Sequence, residues 1–357
     1  MARLLLAGYF GSGNLGDDAI MLGFLKGIEG LGHEVRVICG NVESLMRQYG
    51  VKGVAKSDLT SVKNAIKECD VLVFPGGSIF QDVTSVRSVA YYSNLVKEAK
   101  KAGKKVALLG QGIGPLERYF GKKMAAAAFD SADVIALGDT ASVSTLKSLG
   151  CRVTPRVTGD CAFLLPKPEI SNLSTSFGVA GMKTIGISAR PWGNDKNKTV
   201  VKVFGELIKT LSANGYVPVM IPMDASEDLK IVESIAKTFG GKVPDLKGLT
   251  SPVVLQERLI RMEAVIGMRL HAGILAATVN VPAFMISYDP KVTAFANVLG
   301  FSTPLPMQGI SSDRIFSGFQ TFIKDRERMV ASLEKRQEEF VRAATGNIDA
   351  LRTLLGE

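Results

Sequence analysis

Leu4-Leu5-Leu6-Ala7-Gly8, followed at once by Gly11-Ser12-Gly13-Asn14-Leu15-Gly16-Asp17-Asp18, decides the fold. An uninterrupted apolar run that breaks into a glycine loop and reopens in helical period reads as a buried parallel strand entering its crossover helix. The loop matches G-x-G-x-x-G, the pattern of dinucleotide sites, but two features argue against that ligand. Asp17 and Asp18 stand where a pyrophosphate would meet the helix N-terminus. The second predicted strand ends in Cys39-Gly40-Asn41, without the acid that binds a ribose hydroxyl. A tight turn with Asp17 or Asp18 capping the helix is as good a reading as direct ligand contact. Met1-Ala2-Arg3 before the apolar run resembles the start of a signal peptide, yet the run is short and lacks a cleavage pattern.

Outward from this stretch the alternation of strand and helix continues to the end of the first half. Apolar runs fall at residues 4–8, 35–39, 71–74, 106–109, 134–137 and 156–158, with helical periods at 17–31, 87–101 and 142–149. Leu165-Pro166-Lys167-Pro168-Glu169 makes a seam, and the polar stretch 168–182 reads as a linker. The alternation restarts with strands at 184–188, 217–221, 264–266 and 283–286, separated by helices at 198–213, 226–239, 253–261 and 271–279. Residues 312–357 are charged, strand-free and helical in period, suited to a segment that folds back to bridge to the N-terminal half. The expectation is α/β: two Rossmann-like domains, 1–167 and 183–311, facing a cleft.

The chain of 357 residues is 46% hydrophobic and 22% charged, ordinary for a soluble α/β protein and long for a single core. No apolar run reaches the ~18 residues that span a bilayer. Its four cysteines, Cys39, Cys69, Cys151 and Cys161, lack C-x-x-C spacing, which fits a reducing cytoplasm without disulfides. A net charge of +9 points to anionic substrates or a peripheral attraction to anionic lipid at the inner face of the membrane. The basic residues form no dense arm or recognition module, which argues against nucleic acid. No metal-ligand cluster is visible.

The polar motifs sit at predicted strand ends, where open α/β sheets bind ligands. Pro75-Gly76-Gly77-Ser78 ends the third predicted strand, and Gln81-Asp82-Val83-Thr84-Ser85-Val86-Arg87 after it supplies groups that suit sugar hydroxyls. Gln111-Gly112-Ile113-Gly114 repeats a glycine loop after the next strand. Gly138-Asp139 and Gly159-Asp160 follow later strands, where each Asp could cap a helix. In the second half, Gly267-Met268-Arg269-Leu270-His271 places one of only two histidines at a strand-to-helix turn. Lys291 follows 20 residues later, at the turn Tyr288-Asp289-Pro290-Lys291. Two cations and an imidazole on neighbouring loops suit a small phosphorylated substrate. Arg190-Pro191-Trp192 is a rim contact by the same logic, and His33 reads as a surface loop residue.

Taken together these segments resemble the polysaccharide pyruvyl transferase family, most closely its CsaB-type members. The resemblance rests on Gly13-Asn-Leu-Gly-Asp-Asp18, Pro75-Gly-Gly-Ser78 with Gln81 to Ser85, Gly110-Gln-Gly-Ile-Gly-Pro-Leu116, the Arg-Leu-His turn and Ser287-Tyr-Asp-Pro-Lys-Val292. It implies a GT-B-like fold and transfer of pyruvate from phosphoenolpyruvate to a sugar as a ketal, with no cofactor beyond that co-substrate. It further implies a lipid-diphosphate-linked acceptor ending in N-acetylmannosamine, a cell wall polymer precursor whose pyruvylated product binds S-layer proteins. On that basis the donor falls to Arg269, His271, Lys291, Gly138 and Asp139, and the acceptor to Asn14, Asp17, Asp18, Gly76, Gly77, Ser78, Gln81, Asp82, Arg87 and Gln111. His271, Lys291 and Asp18 are the catalytic candidates. One position departs from the pattern: Gly138 stands where the family commonly has an arginine for the donor anion. A nucleotide-sugar glycosyltransferase or an inactive sugar-binding relative would share much of this pattern.

Overall fold

The computed structural model describes residues 1–82, 86–169, 183–240 and 243–357, so Val83, Thr84, Ser85 and most of the expected linker lie outside the described residues. Two compact units emerge: residues 1–165 with 339–357, and residues 166–338.

The first unit carries strands β1 (Arg3–Phe10), β2 (Glu34–Cys39), β3 (Lys52–Ala55), β4 (Val71–Phe74), β5 (Gly77–Phe80), β6 (Lys105–Ile113), β7 (Val134–Leu137) and β8 (Arg156–Val157). They pair in parallel in the order β3-β2-β1-β4-β6-β7-β8, with β5 also on β6. The sequence of β1 explains why both sheet faces are covered. Its side chains alternate, so Leu5 and Ala7 enter one core with Leu72 and Phe74 of β4. Leu4, Leu6 and Phe10 enter the other with Val71 and Val73. Helices Leu59–Glu68, Val86–Lys101 and Tyr119–Ser131 cover the first face with Val62, Ile66, Val89, Tyr92, Val96 and Phe129. Helix Leu15–Gly27 covers the second with Ile20, Met21 and Phe24. Each such fully buried side chain contributes about 1.5–3 kcal/mol relative to exposure.

The second unit repeats the plan with β9 (Lys183–Ser188), β10 (Tyr216–Met220), β11 (Ala264–Gly267), β12 (Ala283–Ser287) and β13 (Leu305–Pro306). Their order is β10-β9-β11-β12-β13, all parallel. The tail forms helices Ser312–Ile323 and Arg326–Leu355. Ile315, Phe319, Phe322 and Met329 join the core of the second unit, whereas Ile348 and Leu351 join that of the first.

Four features depart from the sequence reading. Strand β3 and the helices before and after it, Val42–Tyr49 and Leu59–Glu68, carry no strong apolar run. The Gly-Gly-Ser stretch is less a loop than the entry to β5, where Gly77 pairs with Gln111. Strand β6 runs to Ile113, past the expected end at 109. His33 is no surface residue: its side chain is fully buried, Nδ1 accepts from Ala2 N–H at 3.3 Å, and Glu357 lies 3.6 Å from Nε2.

Candidate active site

In each unit the strand order reverses once, between β1 and β4 in the first and between β9 and β11 in the second. Loops leaving the carboxyl ends of such strand pairs diverge and leave a crevice for ligands. Most candidate residues fall on these loops.

In the first unit, Asn14 caps helix Leu15–Gly27 by accepting from Gly16 and Asp17 N–H groups at 2.9 and 3.2 Å. This turns Asp17 and Asp18 into the first helical turn, where the macrodipole favours a carboxylate. Asp18 is 4% exposed and accepts from Gly11 N–H at 2.8 Å. Burial raises its carboxyl to about 7, with half-buried Asp17 adding to the push and the Gly11 bond opposing it. A carboxyl raised this far can exchange a proton near neutral pH. Gly77, at φ +93°, lies across from this turn: a Cβ there would come within 3.2 Å of Asp17 Oδ1. The loops after β1 and β4 thus meet at the crevice. Gly76 is buried beside Ile20, Ser78 and Arg87 are exposed, and Gln81 is half-buried.

Two expected acceptor residues have other tasks. Asp82 is 1% exposed and spends both carboxylate oxygens on the backbone, accepting from Glu117 N–H at 2.8 Å and Arg118 N–H at 2.9 Å. It clamps the loop after β6 and presents nothing to a ligand. Gln111, fully buried inside β6, donates to the carbonyls of Phe74 and Leu109. It ties β4 to β6. Of the donor pair, Asp139 caps helix Thr140–Ser148 through Ser142 N–H at 2.6 Å and Ser142 Oγ at 2.7 Å. Gly138 is packed closely enough that a Cβ would stand 3.2 Å from the Gly110 carbonyl oxygen. A side chain at 138 would require that backbone to give by a few tenths of an ångström.

In the second unit His271 and Lys291 are the second residues of helices Leu270–Thr278 and Pro290–Leu299, which follow the neighbouring strands β11 and β12. Both are half-buried. Asp289 caps the second helix by accepting from Lys291 N–H at 2.9 Å. The first has no side-chain cap and no acid in its opening turn. A helix N-terminus without a side-chain cap that carries a histidine, with a lysine in the next helix's first turn, places groups that favour an anion on neighbouring loops.

Arg269 contributes differently from the expectation. Its guanidinium donates to Asp228 at 2.5 to 3.2 Å and to Glu227 at 2.8 Å, with its side chain 12% exposed and that of Asp228 fully buried. Burial alone would lower the Arg269 pKa, but the two carboxylates outweigh it and raise it further. Its charge is therefore already matched, and it anchors the loop that carries His271. Arg190, leaving β9, stacks 4.6 Å from the Tyr288 ring centroid, donates to Tyr288 Oη at 2.5 Å and lies 3.6 Å from Glu227. The sequence marked Arg190 as a rim residue but gave no sign of this network, whose partners are 37 to 98 residues apart.

A further cluster escaped the sequence reading altogether. Lys56, just past β3, points among the rings of Tyr9, Tyr91 and Tyr92. The adjacent pair Tyr91-Tyr92 after the Gln81–Arg87 stretch was the available signal. Among the described residues no group of three or more His, Cys, Asp or Glu side chains is placed to hold a metal ion.

Several solved structures share this architecture. UDP-GlcNAc 2-epimerase from Neisseria meningitidis, bound to UDP-GlcNAc, is 12% identical with a TM-score of 0.62, covering 99% of this chain and 100% of its own. MnaA of S. aureus, solved with UDP, is 14% identical with a TM-score of 0.63 over 100% and 97%. A glycosyltransferase from Rickettsia africae ESF-5 is 12% identical with a TM-score of 0.61 over 99% and 98%. At such identities the likeness concerns the fold, which is GT-B-like. No curated protein sequence matches the chain. The family model for polysaccharide pyruvyl transferase does match, over residues 14–290, and the chain belongs to that family.

Proposed function

We propose that the protein transfers pyruvate from phosphoenolpyruvate to a pair of hydroxyls on a saccharide, forming a cyclic ketal and releasing phosphate. The observation that carries this reading is the His271–Lys291 arrangement, with an imidazole and an ammonium at two neighbouring helix N-termini, the first of which has no side-chain cap. Phosphoenolpyruvate brings a phosphate and a carboxylate, and such a set can hold both. Protonation of its methylene carbon makes C2 electrophilic. One sugar hydroxyl adds there and the second displaces phosphate, closing the ring. Of the two hydroxyl protons released, one replaces the proton given to the methylene carbon and the other replaces the proton that leaves with phosphate. His271 holds the phosphate and protonates it as it leaves, Lys291 neutralises the growing charge, and Asp18 accepts a hydroxyl proton. Asp18 suits the last role because its carboxyl sits near 7. Arg269 positions the His271 loop.

The acceptor in this reading is the terminal N-acetylmannosamine of a lipid-diphosphate-linked cell wall polymer precursor, as in CsaB-type enzymes that prepare S-layer anchors. Such a carrier would place the protein in the cytoplasm against the inner membrane face. Exposed Tyr119 and Phe120, 63% and 72% accessible and flanked by Arg118, Lys122 and Lys123, support that contact. A phosphate-release assay with phosphoenolpyruvate and a synthetic N-acetylmannosaminyl acceptor tests the reading. A second reading, nucleotide-sugar transfer, draws on the UDP present in two of the structural relatives. It requires UDP, and not phosphoenolpyruvate, to raise the melting temperature.

A further inference from the structure

Lys56 and three tyrosines occupy the carboxyl rim of the first unit, apart from every residue given a role above except Asp17. The Lys56 ammonium lies 5.2, 5.1 and 5.5 Å from the ring centroids of Tyr9, Tyr91 and Tyr92. Tyr9 is the penultimate residue of β1, and Tyr91 and Tyr92 belong to helix Val86–Lys101. Lys56 follows β3 and is fixed by its own N–H, which donates to the Cys39 carbonyl at 2.9 Å. The group is therefore built from the ends of β1 and β3 and one helix, beside the crevice where the loops after β1 and β4 meet.

Two observations show that packing alone does not account for it. Tyr92 is 2% exposed, yet neither its hydroxyl nor the buried hydroxyl of Tyr91 has a hydrogen-bond partner among the described residues. Buried phenols normally find one, so these two donors are left for something that arrives. Lys56, half-buried, is held by ring faces, and burial lowers its ammonium pKa while Asp17 works against that.

We propose that Lys56, Tyr9, Tyr91 and Tyr92, with Asp17, form a saccharide-binding subsite. Asp17 balances the charge of Lys56, so the cluster offers an anion little net attraction. Aromatic faces suit the C–H faces of a pyranose. The ammonium and the two unpaired phenols donate to sugar oxygens, and Asp17 accepts from sugar hydroxyls. The position beside Asp18 makes this the seat of the acceptor; only the sugar's identity rests on the pyruvyl-transfer reading, not the site.

The test uses the full-length protein and ligand-observed saturation-transfer NMR. The probes are N-acetylmannosaminyl-N-acetylglucosamine, a panel of other neutral disaccharides, and phosphoenolpyruvate. The wild type should bind at least one disaccharide. Tyr92→Phe, which keeps the ring and removes an unpaired hydroxyl, should weaken it about fivefold with no fall in melting temperature. Lys56→Met should weaken it about tenfold. Phosphoenolpyruvate binding should stay within about twofold in both. Failure of every neutral disaccharide to bind the wild type would overturn the proposal. So would wild-type saccharide affinity in both variants, or an equal loss of phosphoenolpyruvate binding. Saccharide binding that depends on Tyr92 and Lys56, in a protein that releases no phosphate from phosphoenolpyruvate, would keep the subsite and remove the pyruvyl-transfer reading.

Discussion

In the proposed mechanism, Asp18 and the pair His271 and Lys291 are where single side chains carry most of the chemistry. The Asp18 carboxyl is raised from an ordinary carboxylate value to about 7, so between those pH values the folded protein holds a proton that the unfolded chain has lost. Stability attributable to this group is therefore present at low pH and falls as pH rises through about 7. Asp18→Asn removes the titration and keeps an oxygen for the Gly11 N–H. It should stabilise the protein at pH 8 by roughly 2–4 kcal/mol, by a smaller amount at pH 5, and change it little at pH 3, read by urea denaturation. The same variant should lose pyruvyl transfer at every pH. For His271→Ala and Lys291→Ala the expectation is the reverse: turnover falls about 100-fold or more while the melting temperature is kept. Near-normal turnover in both would remove the donor-site assignment. Asp228 behaves as neither type. Replaced by Ala, it leaves the Arg269 charge buried with one fewer partner, at a cost of about 3–5 kcal/mol in unfolding free energy.

At the scale of elements, helix Leu15–Gly27 and the short 3-10 turn Cys161–Leu164 fit closely against each other. A Cβ on Gly23 would fall 1.8 Å from the Cys161 carbonyl oxygen, so the helix reaches its place only because residue 23 has no side chain. Gly23→Ala should cost about 3 kcal/mol in denaturant unfolding, and should displace the Asp17–Asp18 turn at the head of the same helix. The helices with a clear apolar stripe were legible in the sequence. Lys198–Ala213 has the expected bounds because Val200, Val203, Phe204, Leu207, Ile208 and Leu211 all face the core. Strand β3 was not legible: Lys52-Gly-Val-Ala55 is an edge strand with only Val54 buried, and missing it hid Lys56. Gln111 was misplaced for a related reason. With β6 read as ending at 109, a residue inside the strand became a residue of the rim, while its carboxamide in fact bonds Phe74 and Leu109 inside the sheet. The glycine loops and the Arg-Leu-His turn were visible because their residue types are local. The pairing of Arg269 with Asp228, 41 positions away, has no local signature.

At the scale of the whole molecule, two doubly wound units carry different chemistry: carboxylates, tyrosines and glycine loops in the first, and cations at helix N-termini in the second. No helix among the described residues is long and apolar enough to cross a membrane. The exposed Tyr119–Phe120 pair and the net charge of +9 instead predict reversible binding to anionic bilayers. In co-sedimentation with phosphatidylglycerol vesicles, the Tyr119→Ser, Phe120→Ser double variant should bind about tenfold more weakly than the wild type, and neither should bind neutral vesicles. The central claim, transfer of pyruvate from phosphoenolpyruvate to a sugar, is tested most directly by phosphate release. The assay takes the wild-type protein and phosphoenolpyruvate, with and without a lipid-diphosphate-linked N-acetylmannosaminyl disaccharide. Release that requires the disaccharide, with a matching mass gain of 70 Da expected for a pyruvate ketal on the product (roughly pyruvate less water) and abolished by His271→Ala, is the predicted result. Absence of release, with UDP and not phosphoenolpyruvate raising the melting temperature, would contradict it.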